Sequence, residues 1–148
     1  MILDLGSEAG LFRKAIDEAK WNIPTKYRMH GFPRGCCDDA TDLFAHYLNQ
    51  KYGIQTTRVD GEYYPDNIED RDWHTWLEVN GLIVDLTADQ YPNHYKWIYV
   101  GPFDNFHNRY EMKRQTYRGF MDLGPDCWSW MQEIYDLIHE ELMKDENG

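Results

Sequence analysis

Asn80-Gly81, set between two runs rich in Trp, Leu, Val and Ile, constrains this chain more than any other pair of residues. Both central positions of a type I′ turn need positive φ, which Asn and Gly tolerate, so residues 73–87 are expected to form one hairpin with a two-residue loop. The loop fixes the register: Val79 faces Leu82, Glu78 faces Ile83, Leu77 faces Val84, Trp76 faces Asp85 and His74 faces Thr87. Side chains alternate across a strand, so Trp73, Thr75, Leu77, Val79, Leu82, Val84, Leu86 and Ala88 form the expected core face. His74, Trp76, Glu78, Ile83, Asp85 and Thr87 share the other. Diagonal neighbours on one face stand about 7–8 Å apart, a gap that an imidazole and a carboxylate close with one hydrogen bond. His74 and Asp85 are thus candidates for two-thirds of a catalytic triad. The same pattern also fits a wet hairpin face without a chemical role.

The whole chain bounds what such a pair can serve. At 148 residues it is expected to be a single domain, 1–148. Fifteen Lys and Arg against 26 Asp and Glu leave a formal charge of −11, which disfavours nucleic acid or an anionic membrane as partner. No apolar run is long enough to span a bilayer, and Met1–Gly6 lacks the basic start and long apolar core of a signal peptide, so a cytoplasmic location is expected. Three cysteines, two of them adjacent, make a poor disulfide framework and point to free thiols.

Ser7 is the expected cap of a first helix running to about Trp21 on the stripe Leu11, Phe12, Ala15, Ile16 and Ala19. Residues 22–35, punctuated by Pro24, Gly31, Pro33 and Gly35, read as irregular. From Cys37 to Tyr52 the positions Ala40, Leu43, Phe44, Tyr47 and Leu48 mark one buried helical face, and Gly53 supplies the stop. A thiol in the first turn of that helix meets unpaired N–H groups and the positive end of the dipole, which favour a thiolate. Asp38 and Asp39 oppose it unless they point to solvent. A buried cysteine used as a small hydrophobe is the alternative.

Residues 54–64 then read as a strand, bent or bulged at Gly61, and Pro65–Asp72 as an acidic loop that could rim a cleft. Trp97–Val100 is an expected short strand, and residues 103–124 carry no clear pattern. A last helix is expected from about Asp126 to Met143, with fraying from Lys144 on. Cys127, in its first turn, reads as structural.

Gly35-Cys36-Cys37 opening a buried helix, then Gly53–Gly61, then His74-Thr75-Trp76-Leu77-Glu78-Val79 and Asp85-Leu86-Thr87 follow one another in order. This succession, from about residue 35 to residue 87, resembles the transglutaminase-like members of the papain-like cysteine hydrolase superfamily. Arg34-Gly35-Cys36-Cys37 is also similar to the arylamine acetyltransferase branch, whose motif has a further glycine absent here. The resemblance implies an α+β fold of papain/transglutaminase-like type: a nucleophile helix packed on an antiparallel sheet, with flanking N- and C-terminal helices. It implies Cys37 as nucleophile, His74 as general base and acid, and Asp85 as the carboxylate that orients it.

The expected function is thiol-dependent acyl transfer on an amide or peptide bond of a peptide, protein or small amide, with water ahead of an amine as acceptor and no cofactor. Cys36 is an alternative nucleophile or pocket residue, and Trp76 a residue that shields the pair, floors the acyl pocket or simply packs. Two other classes stay open. One is a metal site built from Cys36, Cys37 and His74, with His46; the other is a non-catalytic binding module on the same fold.

Overall fold

Asp4 opens the first helix: its carboxylate accepts the Ser7 amide at 3.0 Å, so the cap lies before the expected Ser7, which falls inside the first turn of α1 (Leu5–Ala19). The computed structural model describes residues 3–147, with side chains through Lys144; Met1 and Ile2 of the segment read for leader character, and Gly148 of the segment expected to fray, lie outside them. Phe12, Ala15, Ile16 and Ala19 of the α1 stripe are buried, while Leu11 is exposed. After short turns over residues 20–35, α2 (Cys37–Tyr52) keeps its expected bounds, and Gly53 ends it in the left-handed region at φ 68°.

β1 (Thr56–Tyr63) and β2 (Asp72–Val79) pair antiparallel over seven positions, from Thr57 opposite Glu78 to Tyr63 opposite Asp72. The register is unbroken, so no bulge forms at Gly61. The glycine serves close approach instead: a Cβ there would lie 2.9 Å from Tyr110 Cβ and 3.0 Å from the Trp76 ring. Asn80 and Gly81 take φ of 53° and 80° and join β2 to β3 (Leu82–Asp85), with the expected pairs Val79–Leu82, Glu78–Ile83 and Leu77–Val84. β4 (Tyr99–Gly101) pairs with β3, two residues beyond the start expected at Trp97.

Residues 103–124 hold α3 (Asn105–Asn108), β5 (Glu111–Tyr117) and a single 3₁₀ turn. β5 pairs with the free side of β1, giving a five-stranded antiparallel sheet of order β4-β3-β2-β1-β5. α4 (Pro125–Asn147), which continues past Lys144, packs on α1 through Ile134, Ile138 and Leu142, and Cys127 rests against the same core.

The architecture is α+β, with two unequal cores. Leu77, Val79, Val84 and Leu86 face α1, α2 and α4, as the hairpin parity predicts. Trp73 does not follow its neighbours; at the strand's start it is 61% exposed. The opposite face is not wet: Trp76, Ile83 and Val59 are covered by Phe106 and Tyr110, with Tyr91, Tyr95 and Tyr99 around them. A segment with no legible periodicity therefore closes the face that carries His74 and Asp85. Among the described residues no helix is long and apolar enough to cross a membrane.

Gly61→Ala forces that cover away from the sheet, because both close atoms belong to buried aromatic residues. Overpacking of this kind costs about 1–3 kcal/mol. Urea unfolding is expected to show that loss, and unchanged stability would place the cover farther from β1.

Candidate active site

The two adjacent cysteines diverge at the start of α2. Cys36 is fully buried, its sulfur 3.3 Å from the carbonyl oxygens of both Arg28 and Arg34. Burial, with the Asp39 charge nearby, pushes its thiol up to about 12, so it is a neutral packing group. Cys37 is half-buried and lies close enough to His74 to contribute to the raised pKa of that ring. The Thr41 hydroxyl donates to the Cys37 carbonyl at 2.6 Å and lies 3.4 Å from the Thr75 carbonyl, tying the first turn of α2 to the strand that carries His74.

The acidic residues of that turn do not simply point to solvent, as the sequence reading required. Arg28 meets Asp38 at 3.4 Å and Asp39 at 3.0 Å. Burial and then the Asp38 charge lift Asp39 to about 6 against the pull of Arg28, and burial lifts Asp42 to about 6 despite its ion pair with Arg58. Pairing with Arg28 and Arg58 offsets the charge of these carboxylates.

His74 and Asp85 meet as the parity of the hairpin predicts: Nε2 lies 2.6 Å from Asp85 Oδ2, with both side chains at zero exposure. The other nitrogen, Nδ1, is buried without a hydrogen-bond partner. Burial alone would lower the His74 pKa; the charge and hydrogen bond of Asp85, and then Cys37, reverse this and raise it to about 10. Burial acts on Asp85 in the opposite sense, and the two imidazoles around it hold it well below the carboxylate range. Asp85 Oδ1 accepts the Thr87 amide at 3.1 Å, which explains the Asp-Leu-Thr spacing.

The second imidazole, His107, gives no signal in the sequence reading. Its Nε2 lies 2.7 Å from the same Asp85 oxygen, and its Nδ1 lies 2.7 Å from Asp104 Oδ1. Asp104 caps α3 by accepting the His107 amide at 2.9 Å, and Tyr95 donates to Asp104. An Asp three residues before a His, just after Gly101-Pro102, is the cap pattern that could have found it. Tyr91 stands edge-on to His74 at 4.9 Å between ring centres, and Asp72 accepts the hydroxyls of both Tyr91 and Tyr110.

Trp76 is wholly buried, edge-on to His107 at 4.8 Å and 5.8 Å from the His74 ring, and walls the pair. Arg13 reaches from α1 to the Leu86 carbonyl at 2.8 Å and to both oxygens of Asp89 at 2.8 Å, fixing the chain just past Asp85. A cavity of about 590 Å³ opens between residues 31–34, which lead into Cys37, and residues 89–92, which follow β3; Phe32, Arg34, Gln90 and Pro92 line it.

The metal set weighed from the sequence is not assembled. Cys36 faces carbonyls, and His46 stacks on Phe120 at 4.1 Å in the main core. Among the described residues the group whose ligand atoms do converge, within 4.8 Å, is His74, Asp85 and His107. Neighbouring ligands of a tetrahedral zinc with bonds of 2.0–2.1 Å stand about 3.3 Å apart, whereas both nitrogens here lie 2.6–2.7 Å from one oxygen. That is hydrogen-bond spacing. No family model, no curated protein and no solved structure matches the chain.

The pair makes stability depend on pH with a definite sign. His74 binds its proton more tightly folded than unfolded, so its contribution is complete below pH 6.5 and is lost as pH rises through about 10. Asp85 binds its proton less tightly folded, so its contribution is present above 3.8 and fades at lower pH. Unfolding free energy is expected to fall between pH 6.5 and 10 in the wild type and to fall less in His74→Gln. Parallel curves in that window would contradict the raised His74.

Proposed function

We propose that this chain is a thiol-dependent acyl-transfer enzyme that hydrolyses an amide or peptide bond through Cys37, His74 and Asp85. The observation that carries the reading is a buried His74–Asp85 pair at 2.6 Å whose other ring nitrogen has no partner, on a strand tied through Thr41 to the first turn of α2, where Cys37 is half-buried. The resemblance to transglutaminase-like cysteine hydrolases is supported by the placement of the parts, with Cys37 opening a helix that packs on an antiparallel sheet, His74 on β2 and Asp85 ending β3.

The Cys37 thiolate attacks the carbonyl carbon while His74 holds the thiol proton. The oxyanion meets the Cys37 N–H, an amide of the first helical turn that has no intrahelical acceptor. His74 passes its proton to the leaving amine, and the C–N bond breaks to leave a thioester. Water then adds, His74 takes a proton from it, and the thioester C–S bond breaks to release the acid. Asp85 fixes the ring so that Nδ1 addresses the sulfur, and it stabilises the imidazolium formed on the way. The cavity lined by Phe32, Arg34, Gln90 and Pro92 flanks the nucleophile loop and is the binding surface for the acyl donor.

A library of peptides and small amides, incubated with enzyme and read by mass, tests the reading. Products are expected with wild type and with the exposed control Glu18→Gln, and a loss of about three orders of magnitude or more in Cys37→Ala and in His74→Gln. Turnover that persists in Cys37→Ala and stops with chelator would replace the acyl-enzyme by metal chemistry.

A further inference from the structure

Asp85 has a second imidazole that the triad does not use. His107 is fully buried, with Nε2 2.7 Å from Asp85 Oδ2 and Nδ1 2.7 Å from Asp104 Oδ1. An ionised carboxylate only accepts hydrogen bonds, and a neutral imidazole has one N–H and one lone pair. Either neutral tautomer therefore sets a lone pair against a carboxylate oxygen at 2.7 Å; the one hydroxyl near Nδ1, that of Tyr95 at 3.3 Å, gives its proton to Asp104. Both carboxylates are placed as acceptors by their other contacts, Asp85 Oδ1 taking the Thr87 amide and Asp104 taking the His107 amide and the Tyr95 hydroxyl. A ring protonated on both nitrogens satisfies both contacts.

We propose that His107 is a positioning residue of this site, an imidazolium that shares one Asp85 oxygen with His74 and limits how tightly Asp85 retains the His74 proton. The proposal rests on the thiol–imidazole reading above. A general acid must hold its proton until the leaving group departs and then give it up. Asp85 alone, in a dry site, favours holding. His107 occupies part of the same oxygen and adds a positive charge to a ring centred 6.2 Å from His74, which weakens that hold.

The other groups around His107 leave it the counter-charge. His74 faces it from β2, Asp85 from β3 and Asp104 from the cap of α3, while Cys37 approaches His74 from α2. Tyr91, Tyr95, Tyr99 and Tyr110 surround the cluster, and burial, largest in each case, pushes every one of them up, so they stay uncharged. Asp72 lies beyond them, bound by the hydroxyls of Tyr91 and Tyr110. Arg109, two residues on from His107, lies over the Phe106 and Tyr63 rings at 4.2 and 4.5 Å.

The test is the pH profile of Cys37 alkylation by iodoacetate, an anionic reagent favoured by a neighbouring imidazolium. In wild type the rate rises as the thiol proton leaves and falls as the His74 proton leaves. His107→Gln keeps an N–H donor without the charge, and both limbs are expected to move to higher pH by about one unit. Asp104→Asn removes the second acceptor of the imidazolium at a side chain 25% exposed, so His107 is expected to release its proton at lower pH, read as earlier loss of one ring N–H signal by NMR. Superimposable profiles of wild type and folded His107→Gln overturn the proposal and leave the thiol–imidazole reading standing. A wild-type profile with no falling limb overturns both. Where the variants fail to fold by circular dichroism, ring-nitrogen NMR of the wild type decides: two N–H signals are expected for His107, and one overturns the proposal.

Discussion

Asp85 carries a carboxylate with no exposure to water, and such a group persists only where donors replace the lost hydration. His74 and His107 meet one of its oxygens and the Thr87 amide meets the other. These donors come from β2, from α3 and from the turn after β3, so satisfying one anion requires three separate segments to arrive together. Arg13 secures the turn from the far side, through the Leu86 carbonyl and Asp89. The hairpin, the first helix and the aromatic cover of the sheet are in this sense parts of one electrostatic problem.

The solution also shapes the chemistry. Trp76, Tyr91, Phe106 and Tyr110 keep water from the His74–Asp85 contact, and the interaction of the two charges is correspondingly strong. Cys37 is half-buried, whereas His74 and Asp85 are wholly covered. The acidic turn that follows Cys37 is offset by cations, Arg28 meeting Asp39 and Arg58 meeting Asp42. Cys36 shows the contrasting environment one residue away: buried, bonded to carbonyls and inert.

Much of this was legible in the sequence where local rules have one answer. Asn80-Gly81 permits one turn, the turn permits one register, and the register puts His74 beside Asp85. The periodicity of α2 and its Gly53 stop were likewise sufficient to place Cys37 at a helix start. What could not be read depends on long-range cover. β5 presents Lys113, Arg114, Gln115 and Thr116 as exposed residues, so it has no apolar alternation, and α3 is too short to show a period. Without them the hairpin's second face looked wet, and His107 and Asp104 stayed invisible. Asp89, which looks like a free carboxylate past the strand, is the clamp of a buried Arg13, a pairing across 76 residues that no local pattern encodes.

The central claim is that one thiol of three forms a covalent acyl intermediate because His74, held by Asp85, serves it. Stopped-flow reaction with para-nitrophenyl acetate, followed by mass analysis of the chain, addresses it directly. The account predicts a burst of nitrophenol of about one equivalent per chain, an acetyl group on Cys37, and loss of the burst in His74→Gln. No burst, or acetyl groups shared equally between Cys37 and Cys127, would contradict it.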